Sequence, residues 1–197
     1  MAKISLDLIQ KLRTITGLGM MDCKKALQET DGDVEKAVDA LRKKGAAVAA
    51  KRGGNETAAG LVQSYIHPGS QVGVLIEINC ETDFVARTDD IKQLAHDLCL
   101  HIAAIKPMYV SPENVDPKFL EHEKGIFKDQ LKDSGKPDNI LDKIIEGKIK
   151  KLYTDICLLN QPFVKNDQLT VDEKIKEVIA KVGENVKINR FARFEIG

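Results

Sequence analysis

The sequence has no tryptophan and few aromatic residues of any kind, 5% of 197. Its formal net charge is zero, with Lys plus Arg equal to Asp plus Glu at 30 each. A nucleic-acid binder usually carries a basic excess, because phosphate neutralisation supplies much of its affinity. The basic runs present (Lys24-Lys25, Arg42-Lys43-Lys44, Lys150-Lys151) lie beside acids and read as solvated helix faces. No direct nucleic-acid partner is therefore expected. No run approaches the roughly 20 apolar residues a membrane-spanning helix needs, and the first residues carry no cleavage pattern. No membrane partner is expected either.

Cysteine is sparse as well. Cys23, Cys80, Cys99 and Cys157 include no CxxC pair, so neither a disulfide framework nor a zinc site is expected. Cys80 and Cys99 fall on apolar faces and read as small buried hydrophobes, which suits a reducing cytosol. Phosphate-loop, zincin and nucleophile-elbow motifs are missing too. His67, His96, His101 and His122 have no metal-ligand spacing, and His96 and His101 do not share a helix face. The expectation is a non-enzymatic chain with no catalytic residues, no metal and no cofactor.

What is present is a clear pattern of elements. Ser5 can cap a first helix carrying Leu8, Ile9, Leu12 and Ile15, which Gly17-Leu18-Gly19 ends. A second runs from about Met20 to Glu29 and stops at Asp31-Gly32. Asp33 can cap a third, with Val34, Ala37, Val38 and Leu41 on one face and Gly45 after it. Residues 1–52 thus form a three-helix module. Residues 53–60, with Gly53-Gly54-Asn55, read as a mobile linker. Residues 61–197 form the core.

The core opens with a hairpin, Leu61 to His67 and Val72 to Cys80 around Pro68-Gly69-Ser70. In the return strand the even positions Val72 to Cys80 are apolar, so one face is buried and one is wet. A helix to about Ile105 follows, ended by Pro107. Asp116-Pro117 opens another, which stops at Gly135, and a further helix carries Leu141, Ile144, Ile145, Ile149 and Leu152. Thr170-Val171-Asp172-Glu173 is a capping box for a short helix closed by Gly183. A last strand spans Val186 to Ile196, with its even positions apolar except Arg190. The fold class is α+β: a three-helix module, then a small antiparallel sheet with helices packed on one face.

Two segments break local rules. Met20 and Met21 open a helix and cannot both point into a core of three short helices. Either one is core and the other incidental, or exposed pliable thioethers serve a partner surface. Between Glu77 and Arg87 a half-buried strand runs straight into a helix. On spacing alone Thr82 or Thr88 caps that helix and Phe84 packs on its own core. The competing reading has Asp83 and Phe84 projecting as a wedge.

The motifs favour the second reading. The stretch from Leu12-Arg13 through Thr16-Gly17-Leu18-Gly19-Met20-Met21-Asp22-Cys23-Lys24-Lys25-Ala26-Leu27 resembles the N-terminal signature of the elongation factor Ts family. Asn79 and Glu81-Thr82-Asp83-Phe84-Val85 resemble its second signature. Gln161-Pro162-Phe163-Val164-Lys165 and the terminal Arg193-Phe194-Glu195-Ile196-Gly197 are similar to further family segments. Thr88 stands where the family usually has Asn. The length resembles the compact form with a single core module. The resemblance implies a guanine nucleotide exchange factor for elongation factor Tu in protein biosynthesis, in the bacterial cytoplasm, with a homodimer expected. It implies that the helical module is UBA-like and docks on the partner's nucleotide domain through Arg13, Met20 and Met21. It further implies that Asp83 and Phe84, supported by Thr82 and Val85, intrude near the partner's Mg²⁺ and phosphate site, and that His67 contacts another partner domain.

Overall fold

A computed structural model describes residues 4–132 and 137–197. The expected helix stop at Gly135 lies outside the described residues. Three helices come first: α1 (Leu6–Thr16), α2 (Met20–Glu29) and α3 (Val34–Arg52). Ser5 accepts the Leu8 N–H at 3.3 Å and Asp33 accepts the Lys36 N–H at 3.1 Å, as N-caps do. Gly17 ends α1 in the left-handed region (φ 68), a conformation that a Cβ penalises. Ile9, Leu12, Cys23, Ala26, Leu27, Ala37 and Leu41 form the shared core of these helices.

Helix α3 is longer than its sequence pattern suggests. It continues through Gly45 to Arg52. A Cβ on Gly45 would lie 3.1 Å from the Ala180 Cβ, so the glycine marks a close helix crossing and not a helix end.

Next come strands β1 (Ala59–Ile66) and β2 (Val72–Cys80), the short helix α4 (Asp83–Ala86) and the helix α5 (Asp89–Ile105). Helices α6 (Pro117–Leu131) and α7 (Asp138–Ile156) pack on each other. A two-stranded antiparallel ribbon, β3 (Pro162–Phe163) and β4 (Asn166–Thr170), leads into α8 (Val171–Val182) and the last strand β5 (Val186–Glu195). The main sheet has the order β1-β2-β5. The His67 N–H bonds to Val72 O and the Ile196 N–H to Gln71 O, so β2 runs antiparallel to both neighbours.

Val74, Ile76, Ile78 and Cys80 are the buried positions of β2, as its alternation predicts. Strand β5 departs from its predicted alternation. Val186 and Ile188 lie inward, but the inward phase then passes to Phe191 and Arg193, leaving Ala192 and Phe194 outward. The Arg193 guanidinium donates to Ala103 O on α5 at 3.2 Å and 3.4 Å and pairs with Glu195 at 2.8 Å. An inward-facing arginine is therefore satisfied by a helix carbonyl and a carboxylate.

The chain divides into two compact units. One comprises Met1–Gln63, Glu77–Ala95 and Glu173–Ile188. The other comprises Ser64–Ile76, His96–Asp172 and Asn189–Gly197. In the first unit, α8 packs along the helical module: besides Gly45 and Ala180, Arg42 approaches Glu177 at 3.7 Å. The second unit buries the lower half of α5 (Leu98, Cys99, Ile102) together with Ile145, Ile149, Leu158 and Phe163.

Candidate functional site

The junction of β2 and α4 is built from hydrogen bonds that the strand and the neighbouring turn supply. Helix α4 has four residues, too few to persist on intrinsic propensity. Thr82 is its N-cap: its Oγ1 accepts the Val85 N–H at 3.3 Å. The same hydroxyl donates to Glu184 Oε1 at 2.8 Å, while the Thr82 N–H donates to Glu184 Oε2 at 3.0 Å. Burial, and then the nearby Glu184 charge, push the Cys80 thiol up, so it stays protonated and donates to Thr82 O at 3.1 Å.

Glu81 is held as firmly. Its Oε1 accepts the Asn185 N–H at 2.6 Å, and its Oε2 accepts from Asn55 Nδ2 at 3.0 Å and Arg52 Nη1 at 3.2 Å. The Asn185 N–H, and then Asn55 and Arg52, hold this carboxyl below its ordinary range. Asn185 in turn donates to Asn55 O at 2.9 Å.

Phe84 stands on this base with 79% of its surface exposed, while its neighbours Val85 and Ala86 are buried. The reading from spacing alone, that Phe84 packs on its own core, fails because Val85 and Ala86 already occupy the inward side of α4. Asp83 is also exposed and pairs with Arg87 at 2.8 Å, one turn on. Thr88 donates to Val85 O at 2.7 Å and accepts the Ile91 N–H at 3.5 Å, so it bridges α4 and α5.

Met20 and Met21 are 48% and 74% exposed, so neither is core. Arg13, one turn before the end of α1, is exposed too. Leu18, between the two glycines, packs on the helical core instead. Lys181 of α8 lies beside Gly17 and pairs with Asp90 at the start of α5. Arg13, Met20, Met21, Thr82, Asp83, Phe84 and Val85 all belong to the first unit. His67 belongs to the second, where it is exposed and Tyr65 Oη lies 3.0 Å from its Nδ1.

The sequence reading missed Glu81 as an anchor and Glu184 and Asn185 altogether. Their partners lie 26 to 130 residues away. The one available signal was a run of polar residues, Gly183-Glu184-Asn185, between a helix and a strand. Among the described residues no group of three or more His, Cys, Asp or Glu is placed to hold a metal ion, and no helix is long and apolar enough to cross a membrane.

An exposed aromatic on a braced turn and two exposed methionines, all in one unit, are the features of an α+β binding factor that presents side chains to another macromolecule. Comparison with known proteins gives the particular family. The family described as Elongation factor TS matches residues 20–197. Elongation factor Ts of Geotalea uraniireducens is 56% identical over 189 residues, covering 96% of this chain and 88% of the relative. That of Desulfosudis oleivorans is 51% identical over 197 residues, covering all of both chains. That of Fervidobacterium nodosum is 52% identical over 195 residues, covering 99% of each. The chain belongs to the elongation factor Ts family, non-catalytic nucleotide exchange factors for elongation factor Tu in translation elongation.

Proposed function

We propose that the chain promotes GDP release by inserting Phe84, with Asp83 beside it, near the Mg²⁺ and phosphate site of elongation factor Tu. The observation that carries this reading is the exposure of Phe84 on a helix too short to move independently of its cap. A GTPase holds its nucleotide through Mg²⁺ and the backbone N–H groups of a phosphate loop. Shifting those groups by about an ångström lengthens many hydrogen bonds together. A rigid aromatic is suited to this, since burying it returns roughly 2 kcal/mol or more at an interface. Linkage requires reciprocity: a factor that weakens nucleotide binding is itself weakened by nucleotide, so incoming GTP displaces it.

Residues 1–52 act as the docking module in this reading, through Arg13, Met20 and Met21, with residues 53–60 as its connection to the core. Two exposed thioethers give an adaptable apolar contact. His67 is a further partner contact. The site of action is the bacterial cytoplasm, in keeping with the bacterial sources of the relatives. The working form is a homodimer, which the outward apolar face of the sheet supports: Ile66, Leu75, Phe194 and Ile196 are all exposed.

Phe84→Ala tests the wedge. The side chain contributes little to the fold, so the variant keeps its unfolding midpoint. The maximal rate at which it releases a fluorescent GDP from elongation factor Tu falls by about tenfold or more, the worth of one interface anchor. An unchanged release rate would overturn the wedge.

A further inference from the structure

We infer that Glu184 and Glu81 are positioning residues for exchange: they hold the Thr82–Val85 turn at a fixed height and so aim Phe84. The inference rests on the wedge reading of Phe84. It arises from four observations in one unit of the chain. First, helix α4 is a single turn, and its cap hydroxyl is itself oriented by a second bond. With the Thr82 proton directed at Glu184 Oε1, a lone pair is left for the Val85 N–H. Second, both carboxylate oxygens of Glu184 are used on one residue, Thr82, which fixes its backbone as well as its side chain. Third, Glu81, the residue just before, is held by the turn after α8 through Asn185, by the end of α3 through Arg52 and by the segment after α3 through Asn55. Fourth, α8 packs on α3 through Ala180 and Gly45, so the segment bearing Glu184 is fixed to the helical module that carries Arg13, Met20 and Met21.

The consequence is mechanical. Docking energy can move groups in the partner only if the wedge does not yield. A single-turn helix on a free strand end would yield; one tied by two carboxylates to α3 and to the α8–β5 turn resists. Neither glutamate needs to touch the partner. Removing one should leave docking largely intact and reduce the rate at which a docked complex expels nucleotide, because misplacing a working group by about an ångström costs rate more than affinity.

The experiment follows release of mant-GDP from elongation factor Tu by stopped flow, over a range of factor concentrations. It compares the full chain with Glu184→Ala, Glu184→Gln, Glu81→Ala, Phe84→Ala and the Phe84→Ala/Glu184→Ala pair. Glu184→Ala and Glu81→Ala are expected to lower the plateau rate ~5-fold or more while the half-saturating concentration stays within about twofold. Glu184→Gln keeps one acceptor of two and should fall between, which also covers the case in which Glu184→Ala folds poorly. The paired variant should lose much less relative to Phe84→Ala than Glu184→Ala loses relative to the full chain, because only Asp83 is then left to aim. Additive losses, or a weakened half-saturation with an unchanged plateau, overturn the inference. So do wild-type plateau rates in both glutamate variants when Phe84→Ala is slow; the wedge then survives without its brace. If Phe84→Ala itself releases GDP at the wild-type rate, the wedge reading fails and takes this inference with it.

Discussion

Gly45 illustrates what a single residue withholds from the sequence. Glycine inside a helix is about 1 kcal/mol worse than alanine, so a glycine after an apolar stripe reads as a stop. Its value here lies in Ala180, 135 positions away in sequence and within van der Waals reach in space. Replacement tests this. Gly45→Ala gains helix propensity but brings two Cβ atoms to 3.1 Å, so the two effects oppose and the net change is small. Gly45→Ile has no room to relax and should destabilise by about 1–3 kcal/mol, measured as a shift in the denaturant midpoint. Full stability of Gly45→Ile would mean that α8 does not press on α3. Phe84 shows the same limit from the other side. The pattern around it favours a core aromatic, yet the side chain is exposed. The difference comes from Val85 and Ala86 filling the inward side first. Residues whose partners are near in sequence were legible: Ser5, Asp33 and Thr82 are caps as their spacing predicts.

At the scale of elements, the long helices were legible from their periodic stripes, and α1, α3 and α6 carry a side-chain N-cap as well. The ribbon β3–β4 was not. It is short, rich in Asn, Asp and Gln, and has one buried residue in each strand, Phe163 and Leu169. Side chains from other elements hold it. His101, fully buried on α5, lies 2.9 Å from Gln161 Oε1 through Nε2 and accepts the Val164 N–H at Nδ1, 3.2 Å away. Gln161 Nε2 donates to Asp155 O, and Lys165 pairs with Asp97 at 2.6 Å. The accepting Nδ1 requires a neutral imidazole, with its proton on Nε2 facing the Gln161 oxygen. Burial pushes the His101 pKa below its usual 6.5, against the opposing bond to Gln161. The sign of the pH dependence follows. The unfolded chain binds a proton near pH 6.5 and the folded chain only at lower pH, so stability is full above 6.5 and declines as pH falls below it. The loss is at most about 1.4 kcal/mol per pH unit. Urea titrations between pH 7.5 and 5 should show this slope, and His101→Gln should flatten it. The carboxyls of Glu81 and Glu195, both held below their ordinary range, lose their contribution only near pH 4.5 and lower, outside that window. An equal slope in His101→Gln would exclude His101 as the titrating group.

At the scale of the whole molecule, the sheet raises the question of what covers its second face. The sequence supplies alternation along each strand, and alternation predicts one wet face. In β5 the phase passes to Phe191 and Arg193, and this turns Phe194 outward with 68% of its surface exposed. On the same face of the hairpin Ile66 reaches over Gly73, where a Cβ would lie 3.1 Å from its Cδ1, and Leu75 follows on β2. An apolar sheet face on a chain of zero net charge suits a second copy of itself, since a two-fold axis sets each patch against its own kind. Each substitution in such an interface counts twice. Phe194→Glu would remove two buried aromatic side chains, forfeiting roughly 3–6 kcal/mol, and so weaken association by on the order of 10²- to 10⁴-fold. Sedimentation equilibrium at micromolar chain should therefore pass from twice the chain mass to the chain mass, with the circular dichroism spectrum unchanged. Arg190→Ala, on the same strand, should leave the mass at the dimer value. A Phe194→Glu variant that stays dimeric would place the interface elsewhere, and a wild-type chain that sediments as a monomer would exclude the dimer.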